Sequence, residues 1–208
     1  MIDSARFLVF LTAALLLAIA PGPGMLYVLA RSLAGGRREG MLSALGTFFG
    51  GMVHVFAAAA GISMILAKSA LAFATVKYFG AAYLCFLGIR MVFDARREEQ
   101  VELSIPPRGS PFGQGVMTEV LNPKTALFFL SFIPQFVDHT RGHIFQQFIL
   151  LGAMSVTLNT TADMVVTLLA GPLGQRIRES ARFRKRQRTA TGVVMIGLGA
   201  YLALSEAK

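Results

Sequence analysis

The chain has 208 residues, of which 54% are hydrophobic and 15% are charged, and its mean hydropathy is +0.60. Soluble domains are about 45–50% apolar and about 25% charged. The composition therefore excludes an ordinary soluble fold and predicts one integral membrane domain over residues 1–208. The single cysteine, Cys85, excludes a disulfide within one chain. A formal net charge of +9 would favour nucleic acid in a soluble protein, but the positions of the cations favour another explanation.

Six apolar segments predict an all-α protein. Most are long enough to cross a bilayer, which takes roughly 20 helical residues, and a helix is the expected form because lipid cannot satisfy an open backbone. The predicted spans are 7–30, 41–66, 71–93, 112–136, 145–170 and 189–204. A signal peptide is an alternative for the first, because Arg6 precedes it and small residues occupy 18–20. Pro21 and the continuing apolar run disfavour that alternative.

The cations are distributed unevenly between the two sides of a six-span chain. The loops after spans one, three and five hold 14 of the Lys and Arg residues, the opposite side holds 5, and Lys124 lies within a span. Positive loops remain in the cytoplasm, so both termini are expected outside. This bias explains the basic charge without nucleic acid. The run "RFRKRQR" at 182–188 is interpreted as an anchor to anionic lipids rather than an RNA-binding arm.

The chain divides into two halves of three spans, over about 1–95 and about 110–208. The first span of each half is interrupted, by "PGPG" at 21–24 and by "NPK" at 122–124. Three is an odd number, so the second half must insert upside down, and inverted repeats with broken helices in matching places are typical of secondary transporters. We predict that the breaks border a central cavity; the alternative is that the prolines only kink packed helices. The predicted cavity residues are Pro21, Gly22, Pro23, Asn122, Pro123 and Lys124.

Lys124 is predicted to be a functional cation. It lies about a dozen residues into the fourth span, near mid-membrane at about 1.5 Å per residue. A lysine facing lipid there costs roughly 2.5–3.5 kcal/mol; the alternative is a lysine that snorkels to the interface. Lys124 would neutralise a carboxylate of a substrate or of the protein, and Glu119 is the internal candidate. On an unbroken helix these two residues point in different directions, so their pairing depends on the break at Pro123.

The fifth span carries a polar stripe, since Ser155, Asn159, Asp163 and Thr167 recur every four residues and share one helix face. Such a face contacts protein or water rather than lipid. Ser155 and Thr167 are expected to hydrogen-bond to neighbouring helices, and Asn159 is a candidate substrate ligand. An intramembrane carboxylate is a candidate functional group by default, so Asp163 is expected to bind the substrate or to carry protons.

His54 is the only histidine within a predicted span. It is either a satisfied histidine of the helix bundle or part of a proton path with Asp163, and Glu119 is a further proton-coupling candidate. His139 and His143 fall in a predicted outer loop and are expected to be solvated. The sequence offers no cluster with metal-ligand spacing, no convincing nucleophile with a base and no phosphate loop. We therefore expect no metal, no cofactor and no enzyme activity.

Other classes remain open beside a transporter. A membrane-embedded enzyme would need a constellation of reactive groups that the sequence lacks. A passive channel or uniporter, or a scaffold without transport, is also compatible with the pattern. Gly46 and Gly50 form a small-xxx-small pair that allows close helix packing, and such a face suits packing within the chain as well as a homodimer.

Two stretches carry a resemblance to a known family. Residues 20–54, "APGPGMLYVLARSLAGGRREGMLSALGTFFGGMVH", resemble the first half of the LysE/RhtB amino-acid exporters, in which a Pro-Gly-Pro precedes a Gly-rich second span. Residues 115–136, "GVMTEVLNPKTALFFLSFIPQF", are similar to that family's second-half Asn-Pro-Lys and Pro-Gln-Phe signature. Residues 192–204, "GVVMIGLGAYLAL", resemble its last span. Length and hydropathy agree over the whole chain.

The resemblance implies an exporter of amino acids or close derivatives in the bacterial inner membrane, driven by proton entry; with the cation bias, both termini of this multi-pass protein are expected on the periplasmic side. The nearest branch implies threonine, homoserine or homoserine lactone as substrate. In this reading Lys124 neutralises the substrate carboxylate, and Asp163 binds its ammonium or carries the proton. Two positions depart from the family pattern, because Gly24 and Gly51 stand where relatives often have an Asn and an Asp.

Overall fold

The structure, a computed structural model, describes residues 4–68, 70–95, 109–138, 142–171 and 180–204. The regular elements within these ranges are helical, as predicted. They are α1 (Ser4–Ile19), α2 (Pro23–Lys68), α3 (Ala70–Asp94), α4 (Pro111–Val120), α5 (Pro123–Leu127), a π-helical turn (Phe128–Phe132), a 3-10 turn (Ile133–Phe136), α6 (Ile144–Leu168) and α7 (Ala181–Leu204). The predicted basic loops over 96–108 and 172–179, and His139, lie outside the described residues.

The first predicted span is two helices, and the second begins after a turn at Gly36. α1 ends at Ile19, and α2 starts at Pro23, whose missing N–H is tolerated at a helix start. Gly36 has φ 74° and ψ −173°, a conformation that only glycine adopts without strain. A straight helix would separate residues eight apart by about 12 Å. A Cβ on Gly40 would instead touch the Ser32 side chain, so the chain turns sharply at Gly36.

The fourth predicted span is also broken. Ser110 caps α4 by accepting a hydrogen bond from the Gly113 N–H at 3.2 Å, and the helix stops at Leu121. Pro123 cannot donate a backbone hydrogen bond, and α5 restarts there with Asn122 as its cap. The axis bends by 47° between Pro111–Val120 and Pro123–Phe136. The interruptions predicted at both proline motifs are therefore present.

Two helices in the described ranges are long and apolar enough to cross a membrane, Pro23–Gly61 and Ile144–Leu168. The bent pair of α4 and Pro123–Phe136 makes a third if it is taken as one span. Pro23–Gly61 contains the turn at Gly36, and the apolar parts of α1 and α7, Arg6–Ile19 and Arg188–Leu204, are shorter. The predicted arrangement of six spans in two inverted repeats stays a prediction.

Glycines set the closest helix contacts. α2 packs against α4 and α6, and α3 packs against α7. A Cβ on Gly50 would lie 2.7 Å from the Val116 carbonyl oxygen, and one on Gly46 would overlap the Phe112 carbonyl oxygen. The predicted close packing of the Gly46 and Gly50 face is thus confirmed, with α4 of the same chain as its partner. Between α3 and α7, a Cβ on Gly88 would lie 2.5 Å from the Gly192 carbonyl oxygen.

An aromatic core lies beside the second break. Phe128, Phe132 and Phe136 follow the break and are buried, and Phe10 of α1 packs edge-on against Phe136 with ring centroids 5.5 Å apart. Phe148 of α6 is fully buried in the same cluster. This core holds the end of α5 in place and so fixes where the polar residues just before it point.

Candidate functional site

Lys124 links the two helix breaks. Its position follows from the Asn122 cap, whose Oδ1 accepts a hydrogen bond from the Lys124 N–H at 3.1 Å. The side chain is only 8% exposed, and its Nζ donates to the carbonyl oxygens of Leu17 at 3.2 Å and Ala20 at 2.9 Å. These carbonyls belong to the C-terminal end of α1, which carries partial negative charge. The lysine of the second half therefore caps the broken helix of the first.

Glu119 lies buried on the other side of the second break. One carboxylate oxygen accepts a hydrogen bond from the Thr125 hydroxyl at 2.6 Å, and the other accepts one from the Asn122 side-chain amide at 3.0 Å. A Cβ at Gly24 would stand 2.5 Å from Glu119 Oε2. The glycine at position 24, where the resemblance leads one to expect Asn, thus makes room for this carboxylate.

His54 is a second hydrogen-bond partner of the Glu119 carbonyl at the break. In an unbroken helix the Glu119 carbonyl would accept from the N–H four residues later, but that residue is Pro123, which has none. The Asn122 N–H donates to this carbonyl instead, at 3.0 Å. His54 Nε2 lies 2.9 Å from the Glu119 carbonyl oxygen and donates to it, and its ring stacks almost parallel to that of Phe129. Of the two interpretations of this histidine, these contacts match the satisfied histidine of the bundle.

Asp163 is fully buried between α6 and α2. Its Oδ2 lies 2.9 Å from the Thr47 hydroxyl, and its Oδ1 has no hydrogen-bond partner among the described residues. Thr47 also lies 2.9 Å from the Ala44 carbonyl oxygen. A carboxylate oxygen that is buried without a partner is costly, so Asp163 is a site at which a proton or a cation would be stabilised.

The rest of the polar stripe on α6 divides into two parts. Thr167 accepts a hydrogen bond from the Ser32 hydroxyl at 3.3 Å and donates one to the Asp163 carbonyl at 3.0 Å, which confirms its predicted role between helices. The same prediction for Ser155 is wrong, because its buried hydroxyl has no partner in the part of the chain that the structure describes. A four-residue period places both on one face, but it does not say what each residue meets there.

A pocket joins these groups. It encloses about 380 Å³ of space free of atoms, part of which is open to the outside. Its polar wall consists of Thr47, Glu119, Lys124, Thr125, Ser155 and Asn159, and its apolar wall of Ala14, Leu17, Ala18, Gly51, Phe128, Phe129 and Val156. One cation and one carboxylate thus face a space bordered by hydrocarbon.

The predicted site residues fall into three groups. Glu119, Lys124 and Asn159 line the pocket. Asp163 and His54 lie behind the lining, the first through Thr47 and the second through the Glu119 carbonyl. The remaining five set the backbone breaks and do not line the pocket, and they are Pro21, Gly22, Pro23, Asn122 and Pro123. Gly22 nevertheless leaves room for the Lys124 side chain, because a Cβ at position 22 would be 3.0 Å from Lys124 Nζ.

Sequence reasoning missed Thr47 and Thr125, whose hydroxyls contact the two buried carboxylates. Thr125 had a signal, because it directly follows the intramembrane lysine. Thr47 had only its place among the polar residues of the second span. Their partners lie on elements that the sequence does not place side by side.

Arg31, which the charge count assigns to the loop after the first span, belongs to a second polar cluster. It is 5% exposed. Its guanidinium pairs with Glu39 at 3.1 Å, bonds to the Tyr27 hydroxyl at 3.2 Å and bonds to Gln114. Tyr27 in turn donates to the Pro111 carbonyl at 2.9 Å. These bonds tie the turn of α2 to the start of α4.

Comparison with known sequences settles the family. Residues 15–206 match the sequence profile of the LysE type translocators. The chain belongs to that family. An uncharacterized membrane protein of Vibrio cholerae is 33% identical over 99% of this chain and 100% of its own length. No solved structure matches.

Other relatives of similar length are the uncharacterized membrane protein YrhP of Bacillus subtilis and a leucine efflux protein of Klebsiella pneumoniae. The first is 30% identical over 95% of this chain and 98% of its own length. The second is 31% identical over 95% of this chain and 94% of its own length. Membership of a translocator family makes this chain a membrane transport protein, whereas the threonine and homoserine branch stays a prediction.

Proposed function

We propose that this chain exports neutral amino acids across the bacterial inner membrane by proton antiport. The observation that carries the proposal is the pocket at the second helix break, which both Lys124 and Glu119 line. A zwitterionic amino acid presents a carboxylate and an ammonium on one carbon. Lys124 would bind the carboxylate, and Glu119 and Asn159 would bind the ammonium. Charged groups buried in a pocket favour a ligand that pairs both of them.

The pocket favours an apolar side chain on the substrate. Leu17, Phe128, Phe129 and Val156 form much of its apolar wall, and burial of hydrocarbon contributes roughly 25 cal/mol per Å². The Klebsiella relative, which is named a leucine efflux protein, supports the same class. Leucine is therefore the first substrate to test, and threonine, homoserine and homoserine lactone are the second group.

The contacts between helices support two inverted repeats. A pseudo-twofold axis would exchange spans one and four, two and five, and three and six. α3 packs against α7 and α2 packs against α6, and both pairings map onto themselves under that exchange. The contact of α2 with α4 maps onto the contact of α6 with the first span, where α1 packs on α6. With the cation bias, this arrangement would leave both termini periplasmic.

Asp163 is our candidate for the proton carrier. Thr47 has a single hydroxyl hydrogen and two oxygen neighbours at 2.9 Å, the Ala44 carbonyl and Asp163 Oδ2. If Asp163 carries a proton, its O–H donates to Thr47 while Thr47 donates to Ala44, and both contacts then hold a hydrogen. An ionised Asp163 leaves one of them without a hydrogen. Proton loss would therefore change the hydrogen bonds of Thr47, which lies between α2 and α6.

The test is efflux from proteoliposomes preloaded with radiolabelled leucine, threonine, homoserine, homoserine lactone, lysine or glutamate, with and without an imposed pH gradient. The proposal expects gradient-stimulated efflux that is fastest for leucine. Efflux that ignores the gradient would identify a passive channel or uniporter and remove the antiport mechanism. No efflux of any compound from folded protein would favour a scaffold without transport and overturn the proposal.

A further inference from the structure

We propose that Lys124 is a latch on α1, and that the carboxylate of the substrate opens it. In this structure the ammonium donates to the Leu17 and Ala20 carbonyls. Lys124 also lines the pocket, beside Leu17 and Ala18 of α1. A ligand in the pocket would therefore compete with the end of α1 for one cation. The inference deepens the proposed function, on which its ligand arm rests.

The hydrogen bonds from Lys124 differ in kind from the other contacts that hold α1. The inward side chains of α1 are apolar, among them Phe10, Ala13 and Ala14, and they pack against α6 and the end of the fourth predicted span. These apolar contacts are not directional. The hydrogen bonds from Lys124, by contrast, join a charged donor to carbonyl acceptors at the end of α1 that lie more than a hundred residues away in sequence. Such bonds have a defined geometry, so their loss frees the end of α1 to move.

A carboxylate is a better partner for the ammonium than the two carbonyls. A carboxylate carries a full negative charge, whereas the C-terminal end of a helix carries about half of one, so the ammonium is attracted more strongly to the carboxylate. A substrate carboxylate thus outcompetes the end of α1, whereas an alcohol or a bare amine does not. Proline at position 21 and glycine at position 22 follow the released carbonyls directly, and they leave α1 joined to α2 by a short non-helical link.

The inference assigns a substrate class. A compound that lacks a free carboxylate would leave the latch closed even if its side chain fits the pocket. Leucine would open it and leucinol, in which a hydroxymethyl group replaces the carboxylate, would not. Homoserine lactone has no free carboxylate and, like leucinol, should leave the latch closed.

The experiment measures the release of α1 with a reporter cysteine. Cys85 is first replaced by Ser, and Ala20→Cys is introduced at a buried position outside the pocket lining. The rate of reaction with N-ethylmaleimide is then measured in proteoliposomes, alone, with leucine and with leucinol. Ala81→Cys, equally buried between α3 and α7, is the matched control.

The latch predicts that leucine accelerates labelling of Ala20→Cys by about tenfold, the factor expected from losing a buried contact between a charge and a helix end. Leucinol should leave the rate unchanged. Lys124→Gln should label at the fast rate without any ligand, and the Ala81→Cys control should stay slow throughout. Acceleration by leucinol, or equal acceleration of the control, would overturn the latch.

The outcomes separate this inference from the proposed function. If leucine is exported but leaves labelling unchanged, the latch is wrong and the export stands. If none of the amino acids is exported, the substrate proposal fails, and the ligand-free comparison of Lys124→Gln with the parent protein still decides the latch. Equal rates in that comparison would overturn it.

Discussion

The two helix breaks look alike in sequence and differ in chemistry. At the first, Pro21 and Pro23 flank Gly22, and only backbone groups are available to bind a partner. At the second, Asn122 caps the next helix and Lys124 supplies a cation. The Lys124 ammonium also caps the helix at the first break, because it donates to the carbonyls at the end of α1.

The difference assigns separate tasks to similar motifs. The first break provides acceptors and space, since a Cβ at Gly22 would lie 3.0 Å from Lys124 Nζ and one at Gly24 would lie 2.5 Å from Glu119 Oε2. The second break provides the charges. Substitutions at the first should therefore act by crowding, and substitutions at the second should act by removing a charge or a donor.

The largest effect is expected from Lys124→Gln. Glutamine removes the charge that would bind the substrate carboxylate, and each hydrogen bond to a charged group is worth about 1.5–3 kcal/mol. Leucine export should fall by at least about 100-fold, measured as initial efflux in proteoliposomes. Lys185→Gln, at an exposed position on α7, is the control and should export normally. Normal export by Lys124→Gln would remove the second break from the site.

The next effect concerns coupling, through Asp163→Asn. Asparagine keeps the shape and the contact with Thr47 but carries no exchangeable charge. A pH difference of one unit multiplies the accumulation ratio by about ten for each coupled proton, and the variant should lose that factor while still releasing leucine down its own gradient. Asp138→Asn, two residues after the 3-10 turn, serves as control. Retained stimulation by the gradient in Asp163→Asn would assign coupling to another group.

A crowding substitution at the first break comes third. Gly24→Ala should destabilise the protein by about 1–3 kcal/mol, the usual cost of an overpacked site, because the buried Glu119 Oε2, which accepts a hydrogen bond from Asn122, must move away from the new Cβ. Gly61→Ala is the matched control, since nothing lies within 4 Å of a Cβ there and alanine favours a helix by about 0.5–1 kcal/mol. Thermal unfolding in detergent measures both. A Gly24→Ala variant as stable as Gly61→Ala would contradict the crowding argument.

The smallest effects compare one residue from each break. Asn122→Ala loses a helix cap worth about 1 kcal/mol and one donor to Glu119, so leucine binding should weaken by about fivefold. Pro21→Ala removes no contact to the pocket, and affinity should stay within about twofold. Equal losses in the two variants, measured by equilibrium binding, would show that the breaks do not divide their tasks.

The helical class and the positions of both breaks could be predicted, because proline and apolar runs act locally. The functional importance of Lys124 could also be predicted locally, because the residue lies about a dozen residues into an apolar span. Its contacts could not, since its hydrogen-bond partners are backbone carbonyls 104 and 107 residues away in sequence. No side-chain pattern marks a backbone acceptor.

The role of His54 could be predicted only in part. Pro123 removes the usual donor to the Glu119 carbonyl, which accepts from the Asn122 N–H and from His54 instead. Which side chain supplies the second donor depends on how α2 packs on α4, and that packing follows from glycines at positions 46 and 50. Helix pairing of this kind is a long-range property that periodicity alone does not determine.

The most direct test of the account is equilibrium binding of radiolabelled leucine to the purified protein and to its Lys124→Gln and Glu119→Gln variants. The account predicts saturable binding to the parent protein, competed by unlabelled leucine, and loss of most of that binding in both variants while each remains folded by circular dichroism. Undiminished binding in both folded variants would contradict the claim that the charges of the second break hold the substrate.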